Sequence, residues 1–271
     1  MTVRSGEVIT AAKASGRAAL VGYLPAGFPS YDGCIDAMHA LVDGGADVIE
    51  VGLPYSDPVL DGPTIQAATE RALRAGIRIT DVLRTVEAVA ATGVATVVMT
   101  YWNPVLAYGP ERFAKDLAAA GGAGLITPDL IPDEAAEWLA ISTELNLERI
   151  FLVAPSSTDA RITSTAAACE GWIYAASTMG VTGARTSTSS VAPALVERVR
   201  AHSGLPIGVG LGVSTGAQAA EVAAYADGVI VGSALVRCLL DAADDASGVA
   251  AVGALASELA AGVRTAATAA P

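Results

Sequence analysis

The sequence predicts a (β/α)₈ (TIM) barrel, and three observations support that fold class. Short runs rich in Val, Ile and Leu alternate with Ala-rich amphipathic stretches along all 271 residues, as parallel strands alternate with crossover helices. We count eight such units, whereas a doubly wound sheet more often has about five or six strands. No linker rich in Pro, Gly or Ser divides the chain. We therefore expect one domain over residues 1–271, with two smaller domains as the alternative.

The predicted strands follow one another at intervals that leave room for a helix after each. They cover residues 18–24, 47–53, 96–101, 123–127, 149–153, 172–176, 206–210 and 227–231. An extra helix over residues 6–14 precedes the first strand, and we expect the Ala-rich tail after about residue 265 to fray. Reactive groups of such barrels lie at the carboxyl ends of the strands and in the loops that follow them. Candidate functional residues are therefore sought there.

The composition indicates which partners the protein is not expected to bind and which cellular compartment suits it. A formal net charge of −12 argues against binding to nucleic acid or to an anionic membrane, because both need a basic face. Cys34, Cys169 and Cys238 are far apart and odd in number, which favours a reducing compartment over a disulfide framework. Neither an export signal nor a membrane-spanning apolar run is recognisable. We expect a cytoplasmic protein.

Two carboxylates near the end of the second strand are the candidate catalytic groups. Glu50 interrupts the apolar run of residues 48–53, where strand alternation directs it into the barrel and burial raises its pKa toward neutrality. Such a group can both give and take a proton. Asp61 follows in the next loop. The alternatives are a buried pair between Glu50 and an arginine, and an N-cap role for Asp61 before its Gly-Pro-Thr sequence.

Histidine, lysine and metal chemistry find no support in the sequence. His39 and His202 lie in helical patterns away from strand ends, so a histidine-bound metal is not expected. Lys13 and Lys115 are the only lysines, and neither follows a strand, which leaves no lysine for a Schiff base. No serine or cysteine lies beside a plausible histidine base. We expect no metal, and the family resemblance described below implies no other cofactor.

Two further groups of residues describe a ligand. Glycines in the loops after strands six, seven and eight expose backbone N–H groups, and the helix that starts at Ser233 adds its dipole, so a phosphate can bind there. The alternative is that each glycine only serves a tight turn. At or near the ends of other strands, apolar side chains can enclose a flat apolar ligand; they are Tyr23, Met99, Ile126 and Tyr174. The alternative is that each of them belongs to the core.

Five motifs resemble those of the tryptophan synthase alpha subunit family. The longest covers residues 51–66 and reads VGLPYSDPVLDGPTIQ. The others are TPDL at 127–130, GVTGA at 180–184, GLGVS at 210–214 and VGSA at 231–234. The resemblance spans residues 7 to about 265. It implies a lyase of tryptophan biosynthesis that cleaves indole-3-glycerol phosphate to indole and glyceraldehyde 3-phosphate by acid–base retro-aldol chemistry.

The resemblance also implies roles for single residues. Glu50 would protonate indole C3 and take the proton of the glycerol hydroxyl, while Asp61 would hold the ring N–H. Thr182 would engage Asp61 when a lid formed by the loop after strand six closes. The implied substrate-binding residues are Tyr23, Met99, Ile126, Tyr174, Thr182, Gly183, Gly210, Leu211, Gly212, Ile230, Gly232 and Ser233. Tyr23, Phe28 and Thr178-Met179 depart from the family pattern, which affects pocket fit and lid contacts.

A partner is implied in the same way. The family works with a beta subunit, which carries pyridoxal phosphate, in an α2β2 heterotetramer with allosteric coupling, and Pro54, Asp57, Asp129 and Pro132 would face that subunit. The residues alone leave two other functions open. One is another phosphate-binding barrel enzyme, such as a sugar-phosphate isomerase or an indole-glycerol-phosphate synthase, although the strand lysine of the latter is missing. The other is a catalytically idle subunit that activates a partner.

Overall fold

A closed barrel of parallel strands forms the centre of the computed structural model, which describes residues 2–176, 191–210 and 212–265. In these residues eight strands pair in sequence order, and β8 closes on β1. The predicted fold class is confirmed. The strands are β1 Ala19–Pro25, β2 Val48–Gly52, β3 Ala95–Met99, β4 Gly124–Thr127, β5 Glu148–Val153, β6 Ile173–Ala176, β7 Ile207–Gly210 and β8 Gly228–Val231.

Helices surround this barrel in the described part of the chain. The predicted helix over residues 6–14 is α1, which covers Ser5–Ala14. The others are α2 Tyr31–Asp43, α3 Pro63–Arg74, α4 Ile79–Ala90, α5 Trp102–Tyr108, α6 Pro110–Ala119, α7 Ala136–Glu144, α8 Asp159–Ala168, α9 Val191–Arg200, α10 Gly216–Ala223, α11 Ser233–Leu240 and α12 Asp245–Thr265.

Strand alternation divides the apolar side chains into two cores. Along β2, Ile49 and Val51 pack against the helices, whereas Val48 faces the barrel interior. Glu50 has the same parity as Val48 and therefore also faces inward, nearer the carboxyl end of the strand. At the amino end, α1 inserts Ile9 into the interior core. One end of the barrel is thus closed by a helix, and the other is left for a ligand.

The third strand ends earlier than the sequence predicts. The prediction extends to residue 101, but β3 ends at Met99. Tyr101 instead has extended backbone angles at the N-cap position of α5. Its aromatic ring and the preceding threonine fit a strand pattern, so periodicity alone could not separate the strand end from the helix start. The change puts Tyr101 in the first turn after the barrel.

Helix α12 is the one helix in the described residues that is long and apolar enough, by length and composition, to cross a membrane. Its packing explains that composition. Val252, Ala256 and Leu259 are buried in the outer core, and α12 contacts α2 and α10. Gly262 approaches the backbone of Gly216 so closely that a Cβ atom would overlap it. The apolar face therefore covers other helices of the barrel.

We propose that the whole chain forms one domain, as the sequence predicts. The barrel uses strands from both halves of the chain, because β8 pairs with both β1 and β7. The tail after about residue 265, which we predict to fray, lies outside the described residues.

Candidate active site

A cavity of about 390 Å³ lies at the carboxyl ends of the strands. It brings together most of the predicted catalytic and substrate-binding residues. Those that line it are Tyr23, Glu50, Asp61, Met99, Tyr174, Gly210, Gly212, Ile230, Gly232 and Ser233. A mainly apolar cleft with a few convergent polar groups is the usual form of a small-molecule site.

Glu50 is a buried carboxyl in the wall of this cavity. Its side chain is 1% exposed, and it lies on β2 between Tyr23 of β1 and Val97 of β3. Oε2 has no hydrogen-bond partner, and no arginine in the described residues forms an ion pair with it. Burial raises the pKa of Glu50 to about 8, because the charged form loses its hydration. Among the described residues, the alternative of a buried Glu–Arg pair therefore finds no support.

Asp61 lies in the loop between β2 and α3 and is not a helix cap. The N-cap position of α3 belongs to Gly62. The Oδ1 atom of Asp61 instead accepts a hydrogen bond of 2.8 Å from the hydroxyl of Tyr101. Burial raises the pKa of Asp61, whereas the Tyr101 hydrogen bond acts to lower it. The carboxylate is thus held at the cavity by a side chain from the next βα loop.

Two tyrosines form the aromatic walls, and glycines make room for them. A Cβ atom on Gly52 would lie 2.4 Å from the oxygen of Tyr23, and one on Gly210 would lie 2.5 Å from the oxygen of Tyr174. Both positions therefore need glycine for steric reasons. The Tyr174 ring also stacks on Trp172 with centroids 5.9 Å apart. Burial raises the pKa of both tyrosines, so their hydroxyl groups stay protonated at neutral pH.

The other predicted glycines lie where an anion can be held. Gly212 has a φ of 73°, a left-handed conformation that favours glycine. Gly232 is the N-cap of α11, and Ser233 begins this helix at the cavity. The first N–H groups of a helix have no partner within it and attract anions. This corner of the cavity suits a phosphate group.

The remaining predicted residues form two groups. Thr182, Gly183, Leu211 and the predicted lid over residues 178–190 lie outside the described residues. Ile126 is fully buried in the interior core and is not among the residues that line the cavity. Its inward direction follows from strand alternation, but that alternation does not give its depth along the barrel axis.

The cavity also includes residues that the sequence did not single out for a ligand. Ser156 and Ser157 reach it from the loop after β5, and Leu60 from the loop after β2. The other additions are Ile65, Pro128, Leu152, Val153, Ala154 and Ala176. The loop after β5 has no glycine, carboxylate or family motif, so position after a strand was the only signal available.

The four predicted interface residues lie in or beside the loops after β2 and β4. Pro54 is buried, whereas Asp57 and Asp129 are exposed and Pro132 is half-buried. Asp129 accepts hydrogen bonds of 2.9 and 3.1 Å from the backbone N–H of Trp102, so it also orders the start of α5. The same two loops expose the apolar side chains Val59 and Ile131, at 66% and 39%.

Among the described residues, no cluster of His, Cys, Asp or Glu has the arrangement of a metal site. Within this part of the chain Cys34, Cys169 and Cys238 are free thiols.

Known proteins that share both sequence and fold define the family. The family model for the tryptophan synthase alpha chain matches residues 9–264. Curated tryptophan synthase alpha chains from Nocardia farcinica and Acidothermus cellulolyticus are 62% and 63% identical, over 97% and 96% of this chain and the same shares of theirs.

Solved structures agree with this assignment. A tryptophan synthase chain from Mycobacterium tuberculosis is 60% identical, with a TM-score of 0.91 over 97% of this chain and 99% of that chain. The tryptophan synthase subunit alpha of Legionella pneumophila is 34% identical, with a TM-score of 0.86 over 98% of this chain and 99% of that chain. The resemblance noted in the sequence is therefore confirmed, and the chain belongs to the tryptophan synthase alpha chain family.

Proposed function

We propose that this protein is the lyase that cleaves indole-3-glycerol phosphate to indole and glyceraldehyde 3-phosphate in tryptophan biosynthesis. The observation that carries the proposal is the state of Glu50. Its carboxyl group borders the cavity with one oxygen unpartnered, and its pKa of about 8 keeps it protonated at neutral pH. A buried polar group without a partner costs free energy. Its presence favours a proton-transfer role over an idle subunit.

The cleavage requires one proton to be added and one to be removed. Glu50 gives its proton to indole C3, which makes the ring an iminium-like electron acceptor. The resulting Glu50 carboxylate then takes the proton of the hydroxyl group on the adjoining glycerol carbon. As the aldehyde forms, the bond between that carbon and C3 breaks, and its electron pair returns to the ring to give indole. The carboxyl group is regenerated, so one residue serves as acid and then as base.

Asp61 stabilises the charge that appears in between. Protonation at C3 places positive charge on the ring nitrogen, and a carboxylate that accepts the ring N–H offsets it. Asp61 borders the same cavity as Glu50, and Tyr101 donates to its carboxylate. The burial that raises its pKa also strengthens this interaction, because the surroundings screen charge less than water does.

The rest of the cavity accounts for the two parts of the substrate. The indole ring fits among the apolar side chains Tyr23, Met99 and Tyr174. The phosphate fits the amides near Gly212, Gly232 and Ser233, where the dipole of α11 offsets its charge. Ile230 and Gly210 complete the wall on β7 and β8. Thr182, Gly183, Leu211 and Ile126 keep their proposed substrate contacts. Ile126 belongs to the interior core against which Met99 and Tyr174 of the cavity wall pack.

The proposed partner is a tryptophan synthase beta chain in an α2β2 assembly. The docking face consists of the loops after β2 and β4, with Pro54, Asp57, Asp129 and Pro132. The exposed Val59 and Ile131 support it, because apolar side chains at a loop surface suit a protein interface. Val59→Asp or Ile131→Asp should prevent co-elution with a beta chain on gel filtration. Val3→Asp, which changes an exposed valine beside α1, should not, and equal behaviour of all three would contradict the docking face.

We propose the cytoplasm as the compartment of this protein. Its three cysteines are free, as expected where thiols stay reduced. Cell fractionation that found the chain in an oxidising compartment would contradict this.

The function is tested with Glu50→Gln and with Glu87→Gln, which changes an exposed glutamate of α4. Glutamine at position 50 cannot supply the proton, so indole release from indole-3-glycerol phosphate should fall by about 100-fold or more. Glu87→Gln should leave it unchanged. Binding of an uncleavable analogue that lacks the glycerol hydroxyl should persist in both variants. Normal turnover by Glu50→Gln would remove the role of Glu50, and no indole release by the unaltered chain, with or without a beta chain, would refute the function itself.

A further inference from the structure

The hydroxyl group of Tyr101 makes two hydrogen bonds to the loop that carries Asp61. It donates to Oδ1 of Asp61 over 2.8 Å, and it accepts from the backbone N–H of Leu60 over 3.0 Å. A phenolic hydroxyl can act as donor and acceptor at once. Tyr101 thus holds both the carboxylate of Asp61 and the backbone that leads to it.

The side chain of Tyr101 is held in place by several contacts. Its side chain is 5% exposed, and it is the N-cap residue of α5, immediately beyond β3. Its ring lies against that of Tyr55, with centroids 5.5 Å apart. The hydroxyl of Tyr55 accepts a hydrogen bond of 3.0 Å from the Asn103 side chain. The phenol ring is therefore fixed from the loops after β2 and β3.

Asp61 has less support of its own. It lies in a loop, it is not the N-cap of α3, and its neighbour Leu60 is half-buried. The backbone carbonyl of Asp61 accepts from the side chain of Gln66 over 2.7 Å, but this bond does not fix the carboxylate. Among the described residues, Tyr101 is the side chain that holds this carboxylate.

We propose that Tyr101 is a positioning residue, whose hydroxyl aims the Asp61 carboxylate at the ring N–H of the substrate. This inference rests on the proposed function of Asp61. With Oδ1 engaged by Tyr101, Oδ2 is the oxygen assigned to the substrate. Tyr101 makes no contact with the reacting atoms in this scheme and acts only through Asp61.

The ionisable groups that face Asp61 come from three neighbouring βα units. They are Tyr101 from the loop after β3, Tyr23 from β1 and Glu50 from β2, which lines the same cavity. Burial raises the pKa of Asp61, and the Tyr101 hydrogen bond is the contact that opposes this. A donor to a carboxylate favours its charged form. Removal of the hydroxyl should therefore raise the pKa of Asp61 further.

The test compares Tyr101→Phe with Tyr108→Phe. The control removes a similar bond at a residue that does not line the cavity, since the Tyr108 hydroxyl donates to Asp116 over 2.7 Å. We expect Tyr101→Phe to lower kcat by about 10-fold, with a smaller change in KM, because the charge that Asp61 offsets develops after binding. The acidic limb of the pH profile of kcat/KM should move up by about one pH unit. Tyr108→Phe should change neither quantity by more than about 2-fold.

A measurement without substrate separates this inference from the proposed function. Carbon-13 NMR of the Asp61 carboxyl group follows its titration directly, and Tyr101→Phe should raise the midpoint by about one pH unit. An unchanged midpoint, or kinetics equal to those of Tyr108→Phe, would overturn the role of Tyr101 even if the unaltered protein releases indole. A raised midpoint in a protein that releases no indole would refute the function and leave the hydrogen bond as a means of tuning Asp61.

Discussion

Glu50 and Glu148 are both buried glutamates of the barrel, but they lie at opposite ends of it and differ in the hydrogen-bond partners of their carboxyl groups. Glu148, at the start of β5, accepts hydrogen bonds from the backbone N–H of Ser5 over 3.0 Å and from that of Gly6 over 2.9 Å. The Ser5 hydroxyl also donates to it, and Arg4 lies 3.8 Å away. Oε2 of Glu50 has no such partner. Burial raises the pKa of both carboxyl groups, but the partners of Glu148 oppose that effect.

Other carboxylates at the amino end follow the pattern of Glu148. Asp47 accepts from the N–H of Leu20 over 2.9 Å and holds Arg17 through two bonds of 2.7 and 2.8 Å. Asp227 accepts from the N–H of Ile207 over 2.9 Å and from Arg200. Each ties one strand to a neighbour or a helix. A carboxyl group with satisfied oxygens supports the fold, whereas one left unsatisfied in a cavity marks the site of chemistry.

The largest effect that can test this comparison of carboxyl groups is expected at Asp61. Asp61→Asn should lower indole release by about 100-fold, because a neutral amide cannot offset the charge on the protonated ring. The free energy of unfolding should change by less than about 1 kcal/mol, since the hydroxyl of Tyr101 can still donate to the amide oxygen. Indole release and urea denaturation measure the two effects. A large loss of stability with activity retained would place Asp61 with the structural carboxylates instead.

Glu148→Gln should give the opposite result. The amide NH₂ would face the donors of Ser5 and Gly6, so we expect the free energy of unfolding to fall by about 1–3 kcal/mol. Indole release at a temperature where the variant is folded should stay within about 2-fold, because the cavity is at the other end of the barrel. Glu87→Gln is the surface control for both measurements. A fall in activity larger than the fall in stability explains would mean that the two ends are coupled.

The pH dependence of stability also separates the two ends of the barrel. Glu50 titrates near pH 8 in the folded protein and near its ordinary value of 4.5 when unfolded, so between these values the folded state holds a proton that the unfolded chain has released. Stability contributed by Glu50 is therefore complete below about pH 4.5 and falls as pH rises toward 8, by up to about 1.4 kcal/mol per pH unit. Glu50→Gln should flatten this slope in unfolding measurements from pH 5 to 8, and an unaltered slope would contradict the raised pKa.

The Asp227 carboxylate should respond to pH in the other direction. Burial opposes ionisation, but the bonds from Arg200, the N–H of Ile207 and Lys13 prevail and lower its pKa below the ordinary value of 3.8. Its contribution is therefore present above that value and is lost as pH falls through the lowered pKa. The two ends of the barrel thus weaken under opposite conditions.

The sequence was sufficient for the fold because the signal repeats. All eight strands, in the part of the chain that the structure describes, are within about two residues of the predicted limits. Each apolar run is bounded by turn residues and followed by an amphipathic helix, so an error at one unit does not disturb the others. The largest difference is at the end of β3, which was predicted too late because Tyr101 suits a strand as well as a helix start.

The site was only partly predictable from the sequence. The direction of a side chain follows from its place along a strand, whereas a contact between side chains depends on residues far apart in the chain. The inward direction of Glu50 follows from its parity with Val48, and its need for an explanation follows from its charge. No local pattern links Tyr101 to Asp61, which are 40 residues apart, and none gives the depth of Ile126 within the barrel. Such facts depend on how neighbouring strands are staggered, and that information is distributed over the whole closed sheet.

The capping of α1 by Glu148 has a consequence for how the chain assembles. Ser5 is separated by 143 residues from the carboxylate that receives its N–H, so the helix emerges from the ribosome well before its receptor exists. Until β5 is made, the apolar face around Ile9 has no interior to enter, and a truncated chain ending before that strand would leave it exposed to chaperones or to self-association. The amino end of the barrel is thus closed late in synthesis, although the helix that closes it, α1, is made first.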